Sequence, residues 1–551
     1  MKIVIVGAVA GGASAAARAR RLDENAEIIL FERGEAPSFA NCGLPYYVGG
    51  VIDTRDKLLV APKQRLIDRY RLDVRTRTEV LSINRHAKRV HVRDLESGAE
   101  FDEFYDKLIL SPGAVPIRPP LPGANLPNVF TLRELRDADQ LLAVTANAKS
   151  AVVIGAGFIG MEMTENLVRR KVETTIVEHN NQVLPPWDAE MVSPIAEHLR
   201  EHGVQLRPSD AAEAIEPSDG RLLVQLRSGK QVLADLVVLS VGVRPENKLA
   251  LEAGLNIGAR GGIQVNEHQQ TSDPDIYAVG DAIEVRHFID GSPTQIPLGG
   301  PANRQGRIAA NHIFGRSSQY RGTQGTAIVG VFEMTAAMTG FSEKYLRATS
   351  TPFQKIYVHP AQHAGYFPGA EQLSIKLLFA PENGKILGAQ VVGRSGVDKR
   401  IDVLAVAIQA GMTAFDLEEM ELAYAPQYGS AKDPVNMAGF VAAGVLNGDH
   451  PIAHADELQD RANSFIVDVR SPEEYSRGSI PGAVNIPIEE LRNRSHELPR
   501  EKQIVTYCQV GQRGYLATRL LMQRDFDVAN LSGGYTTYSQ VTAARRSCDQ
   551  V

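Results

Sequence analysis

Lys2-Ile3-Val4-Ile5-Val6-Gly7-Ala8-Val9-Ala10-Gly11-Gly12 is an apolar strand pattern that runs straight into glycines. An alanine-rich stretch from about Ala13 to Leu22 reads as a helix, and Glu27–Glu32 as a second strand that ends on an acid. Strand, glycine turn, helix and strand of these lengths make one βαβ unit. The pattern returns further on. Strand Ala151–Ile154 enters Gly155-Ala156-Gly157-Phe158-Ile159-Gly160, a helix runs to about Arg170, and Glu173–Glu178 again closes on an acid. One glycine fingerprint is weak evidence; two in the same strand-turn-helix-strand setting predict two dinucleotide sites on an α/β fold.

The chemistry of the two turns differs in detail. Glycines let backbone N–H groups approach a pyrophosphate at a helix N-terminus. In the first turn Val9 replaces the middle glycine, and Glu32 can accept hydrogen bonds from ribose hydroxyls. The second turn is intact. Glu178 at its second strand favours NADH, because a carboxylate repels the 2′-phosphate of NADPH, and the following His179-Asn180-Asn181 supplies no arginine. NADPH stays possible.

The 551 residues exceed one core and predict three to four domains. A formal charge of -6 carries no nucleic-acid signature. No run of about 18 apolar residues spans a membrane, and the first strand lacks the pattern of a secretory signal. Three separated cysteines do not make a disulfide framework. A cytoplasmic protein is expected. No metal site is expected.

Cys42 lies in Ser38-Phe39-Ala40-Asn41-Cys42-Gly43-Leu44-Pro45, and the other cysteines are Cys508 and Cys548. With no second cysteine nearby, a redox cycle at Cys42 needs a partner that is not protein: a small thiol, a persulfide sulfur, or oxygen as a sulfenic acid. Pro45 suits the first turn of a helix, and a helix N-terminus lowers a thiol pKa. Arg18, Arg20 and Arg21 within one helical turn suit a phosphorylated ligand.

Together these residues resemble the two-dinucleotide flavoprotein disulfide reductases over about 1–445, and within them the coenzyme A-disulfide reductases. The shared pieces are Val9 to Arg18, the run at 38–46, His363-Ala364-Gly365-Tyr366, Ala423-Tyr424-Ala425-Pro426, and Ser430-Ala431-Lys432-Asp433-Pro434-Val435-Asn436. The resemblance implies an FAD-binding domain at 1–112 and 246–321, an NAD(P)H-binding domain at 113–245, and an α+β dimerisation domain at 322–442. FAD would meet Gly7, Ala10, Gly11, Gly12, Glu32 and Arg33. It would also meet Asn41, Ser111, Pro112, Gly113, Gly280, Asp281, Pro297 and Ala302. NADH would meet Gly155, Gly157, Phe158, Ile159, Gly160, Glu178 and Gly242. Coenzyme A would meet Ser14, Arg18, Arg21, Ser38, Asn41 and Arg71, with Asn303, Arg307 and Lys432. Cys42 would form a mixed disulfide with coenzyme A. In the family two tyrosines of the other subunit of a homodimer stand beside the cysteine; Tyr366 and Tyr424 hold those positions, with Tyr428 a competitor.

Residues 443–455 read as a linker, and 456–545 resemble a single α/β rhodanese domain. Its motifs are Asp468 to Tyr475, Gly478 to Pro487 with Ser479 in place of a frequent histidine, and Tyr507-Cys508-Gln509-Val510-Gly511-Gln512-Arg513-Gly514. Backbone N–H groups of that six-residue loop would surround the Cys508 sulfur and stabilise a persulfide, with Arg513 adding positive charge. The tail after Arg545 is expected to fray, and Cys548 is expected to be spare.

The resulting expectation is an NADH-dependent reductase of coenzyme A persulfide, polysulfide or disulfide, acting on small-molecule thiols and fed with sulfane sulfur by Cys508. Two rivals stand beside it. An NADH oxidase or peroxidase would use a Cys42 sulfenic acid, but such relatives carry a histidine where this chain has Ala10. A flavin redox sensor would need an output module, and the chain has no DNA-binding helix pair.

Overall fold

The structure, a computed structural model, describes residues 1–458 and 464–549. It forms two compact units, 1–175 with 212–323, and 176–211 with 324–551.

In the first unit Lys2–Val6 is the central strand of a five-stranded parallel sheet, ordered Ile276–Ala278, Lys107–Leu110, Lys2–Val6, Glu27–Glu32, Asp73–Thr76. Its residues are apolar without alternation because both faces are covered. Ile3 and Ile5 pack on Ala15, Ala16 and Ala19 of the following helix. Val4 and Val6 pack on Val80, Val90, Val92 and Tyr105, from an antiparallel layer of Thr78–Asn84, Arg89–Asp94 and Glu100–Phe104.

The first helix spans Ala10–Arg20, three residues ahead of its expected start. Gly11 and Gly12 are its first turn rather than the loop before it. A side chain at Gly12 would place Cβ 1.9 Å from the Gly7 carbonyl oxygen, so only glycine lets the helix start this close to the strand end. The second unit of this kind has strand Ser150–Ile154 paired in parallel with Leu236–Leu239, which pairs with Val129–Phe130; helix Phe158–Arg169 follows Ser150–Ile154.

In the other compact unit, five antiparallel strands run in the order Ala327–Val331, Met334–Gly340, Ile386–Gly393, Leu373–Phe379, Gln354–Val358. Lys376 of this sheet is fully buried. Its ammonium lies 2.6 Å from Glu190 Oε1, 2.6 Å from Glu343 Oε2 and 2.9 Å from Asp188 Oδ2. A buried charge persists only when paired in this way. Lys355 continues the network from Glu343 to Asp456.

The C-terminal sheet is wholly parallel: Ile452–Ala453, Val528–Leu531, Ile504–Tyr507, Phe465–Asp468, Val484–Asn485. It is fastened to the antiparallel sheet. The Tyr357 N–H donates to Ser532 Oγ at 3.0 Å, and His359 bridges Ser374 Oγ and Thr537 Oγ1.

Two expectations need correction here. Residues 443–455 are not a slack linker: helix Pro434–Leu446 runs into them, His450 is buried, and Ile452–Ala453 is an edge strand of the C-terminal sheet. Where a frayed tail was expected after Arg545, helix Gly534–Asp549 continues past it; the residues after Asp549 lie outside the described residues. The side chain of Cys548 lies outside the described residues. No helix among the described residues is long and apolar enough to cross a membrane.

Candidate active site

A cavity of about 880 Å³ opens above the carboxyl ends of the first sheet, where parallel α/β sheets bind their ligands. Gly7, Ala10, Gly11, Glu32, Arg33 and Asn41 line it, with Cys42. Ser111, Pro112, Gly113, Gly280, Asp281, Pro297 and Ala302 complete the expected set. Gly12 does not reach the cavity; it packs under Gly7.

The wall suits a long nucleotide with a polar chain. Glu32 accepts from the N–H groups of Ala8 and Gly34, at 2.9 and 2.8 Å, which fixes its carboxylate at the rim. The Asp281 carboxyl is pushed up by burial, against the pull of Arg133. Arg133 and Glu246 were not legible in the sequence. Glu246 takes Arg33 Nη2 at 2.9 Å and Arg133 Nη1 at 3.2 Å, joining three chain-distant residues in one wall.

Cys42 sits in the turn Asn41–Gly43, exposed toward the cavity, ahead of the short helix Leu44–Gly49. The expectation of a thiol pKa lowered by that helix is wrong. Burial by the surrounding protein raises it, and Glu162 and Asp281 add to the rise. Six residues of helix do not outweigh two carboxyl groups and desolvation. Glu162 itself is raised to about 7, by burial first, and accepts a hydrogen bond from the Tyr46 hydroxyl at 3.3 Å. Neither Tyr46 nor Glu162 stood out in the sequence; both sit inside motifs that were read for other residues.

The arginine helix separates into two roles. Arg20 is structural: it is buried, and its guanidinium donates to the carbonyls of Tyr70, Asp23, Glu24 and Arg71. Arg18 belongs to a cluster. Its pKa falls through desolvation and the nearby positive charges of Arg307, Arg316 and Arg21. Arg316 is an addition that spacing did not reveal. Ser14 Oγ bonds Asn303 Oδ1, and Arg18 Nε donates to Asn311 Oδ1 at 2.8 Å. Ser38 has φ +50°, its N–H bonded to the Ala8 carbonyl. Arg71 is exposed and pairs with Glu24.

Lys432, Tyr366 and Tyr424 belong to the other compact unit. The Lys432 ammonium lies over the Phe440 ring, 5.9 Å from its centroid. Tyr366 is 76% exposed and Tyr424 49% exposed, yet their hydroxyls meet at 2.9 Å. Tyr428, 69% exposed, is outside that pair. Both rings are exposed, and their hydroxyls hydrogen-bond to each other.

At the second fingerprint Gly155 has φ +102°, and helix Phe158–Arg169 starts directly after Gly157, where an added Cβ would meet nothing within 4 Å. Ile159 and Gly160 form its first turn, and Gly242 has φ +105°. Glu178 is buried. Its Oε1 accepts from the backbone N–H and the side-chain amide of Asn180, at 2.8 and 2.6 Å.

Cys508 follows strand Ile504–Tyr507 and is 1% exposed. The loop after it turns at Gly511, φ +96°, into helix Gln512–Met522. Asn530, absent from the sequence reading, pins the loop: its amide donates to the Gly511 carbonyl at 3.0 Å and to His450 Nε2 at 2.9 Å. Arg513 is less free than expected. It bonds both oxygens of Glu474 while also feeling Cys508. Arg470 is buried on Asp468 and donates to Gln509 Oε1 at 3.1 Å.

A large cavity at the first glycine turn with one cysteine in its wall, a second glycine fingerprint and a separate cysteine loop define a class. Residues 1–306 match the pyridine nucleotide-disulphide oxidoreductase family, 326–433 its dimerisation domain, and 453–540 a rhodanese-like domain. The chain belongs to that oxidoreductase family, whose enzymes work with FAD and NAD(P)H. A coenzyme A disulfide reductase of Staphylococcus epidermidis is 36% identical over 449 residues, 80% of this chain and 99% of the relative. Reduced Bacillus anthracis CoADR-RHD superposes with a TM-score of 0.97 at 48% identity, over 99% of this chain and 98% of that one. A NAD-dependent persulfide reductase from A. fulgidus superposes with a TM-score of 0.92 at 38% identity, over 98% and 100%.

Proposed function

We propose that this chain is an NADH-dependent FAD enzyme that reduces coenzyme A persulfide or polysulfide, and coenzyme A disulfide, through Cys42, with Cys508 supplying sulfane sulfur. The carrying observation is that Cys42 stands in the wall of the flavin cavity with no other cysteine in its compact unit. The second sulfur of any disulfide there must come from a ligand. The cluster of Arg18, Arg21, Arg307 and Arg316 offers the charge to hold the phosphates of coenzyme A.

Bound FAD would supply the electron pair taken from NADH. The chain does the rest. Cys42 Sγ holds the ligand sulfur as a mixed disulfide; two electrons cleave that bond and leave two thiolates. A persulfide then passes its outer sulfur to the coenzyme A thiolate and leaves as a thiolate. The Cys42 thiolate attacks the inner sulfur of the new coenzyme A persulfide, re-forming the mixed disulfide and expelling the outer sulfur as sulfide, which takes up a proton. Tyr366 and Tyr424 of a second copy in a homodimer would carry that proton at their shared hydroxyl contact. Glu178 favours NADH over NADPH. Ala10 lines the cavity where an oxidase would place a base.

Incubation with coenzyme A disulfide, followed by non-reducing digestion and mass spectrometry, tests this. The Cys42 peptide should carry one coenzyme A, and Cys42→Ser should carry none. An unmodified peptide, or one that gains only oxygen, would overturn the proposal.

A further inference from the structure

Helix Ala189–Glu201 ends on His198-Leu199-Arg200-Glu201-His202. Residues four apart share a helix face, and the two imidazole centroids are 4.4 Å apart. Opposite them is the two-residue turn Phe332-Glu333 between strands Ala327–Val331 and Met334–Gly340. Phe332 has φ +53°, a strained value for a bulky residue. Its ring lies on His202 at 3.9 Å and 7°. The stack aims Glu333 at the rings: Oε2 is 2.8 Å from His198 Nε2 and 3.3 Å from His202 Nε2.

The other ring nitrogens are already held by oxygen acceptors. His202 Nδ1 is 2.9 Å from the His198 carbonyl oxygen, which only accepts, so Nδ1 carries the hydrogen. His198 Nδ1 is 3.1 Å from Glu201 Oε2, and the same holds. With hydrogen on both Nδ1 atoms, both Nε2 lone pairs face the Glu333 carboxylate, and one ligand atom from each of the three residues lies within 4.8 Å of the others.

We propose that His198, His202 and Glu333 form a binding site for a first-row divalent metal ion, of which zinc is the best match. Two imidazoles, one carboxylate and one position open to water suit a tetrahedral ion. Bonds of about 2.0–2.1 Å put such ligand atoms about 3.3 Å apart. The Glu333–His202 contact of 3.3 Å already fits, the Glu333–His198 contact of 2.8 Å must widen by about half an ångström, and all three ligand atoms lie within 4.8 Å of one another. Both Nδ1–H groups already bond to a carbonyl and a carboxylate, the outer contacts that orient metal-binding histidines. The H-x-x-E-H order occurs in zinc peptidases, where the glutamate is a base. Here Glu201 is taken up by His198, so the ion would tie the helix end to the hairpin turn. The acidic cluster Asp188, Glu190 and Glu343 is different, because Lys376 already fills it.

Untagged full-length protein, stripped with a chelator and titrated with Co²⁺ as the probe, tests the site. One Co²⁺ per chain is expected, with visible d–d bands of a nitrogen and oxygen set and no thiolate-to-cobalt charge transfer, displaced by Zn²⁺. Glu201→Gln should weaken binding about 10- to 100-fold, and His202→Ala should abolish it. Glu333→Gln, at an exposed turn, gives the same readout should His202→Ala fold poorly. No uptake by the wild-type protein, a thiolate band, or unchanged binding in the ligand variants would overturn the site.

Discussion

Arg513 donates to both oxygens of Glu474, at 2.7 and 2.6 Å, joining the Cys508 loop to helix Pro472–Ser476. Arg513 holds the Glu474 carboxyl down to about 2. A depressed folded-state pKa gives stability above the ordinary value near 4.5 that is lost as pH falls toward 2. The side chains are 35% and 23% exposed, which trims the effect to about 1–2 kcal/mol. Glu474→Gln should therefore lower the thermal midpoint at neutral pH, and its gap from wild type should close on acidification. A constant gap would contradict the pair's role.

Glu162, itself raised to about 7 by burial, adds to the rise that desolvation imposes on the Cys42 thiol. Glu162→Gln removes a negative charge beside Cys42 and should move the alkylation profile of Cys42 to lower pH. An unmoved profile, or one moved upward, would show that Glu162 does not raise the thiol.

Arg316 joins the Arg18 cluster only through the fold. Arg316→Ala should raise KM for coenzyme A disulfide by about one order of magnitude, the scale of one charge-assisted contact, with kcat little changed. A fall in kcat at constant KM would place Arg316 outside the ligand site.

Gly157 and Gly160 separate binding from folding. At Gly160 a Cβ would stand 2.0 Å from the Gly155 carbonyl oxygen; at Gly157 it meets nothing within 4 Å. Gly160→Ala should fold poorly. Gly157→Ala should keep its thermal midpoint and lose NADH affinity alone, because its methyl group occupies the path of the pyrophosphate. Comparable loss of stability in both would refute that division.

The glycine turns and their flanking strands were legible because burial on both faces and close backbone approach leave few residue choices. Cys42 and Cys508 were readable for another reason: each sits in a run, 38–46 and 507–514, that resembles a family motif. The Glu246 bridge, Arg316, Asn530 and His450 were not. Each acts across long sequence separation, and each is a common surface residue until the fold brings its partners. The sign of the Cys42 shift was missed because a helix start is visible in sequence, whereas Glu162 and Asp281 approach from elsewhere in the chain. The linker misled because Gly448 and Pro451 read as slack while His450 between them is buried.

The most direct test is anaerobic NADH oxidation with sulfide quantified, comparing coenzyme A persulfide, polysulfide and coenzyme A disulfide in wild type and Cys508→Ser. Fast turnover on persulfide with one sulfide per NADH is predicted, with Cys508→Ser slowed on polysulfide and unimpaired on the disulfide. Equal loss on both acceptors, or turnover without sulfide, would contradict the account.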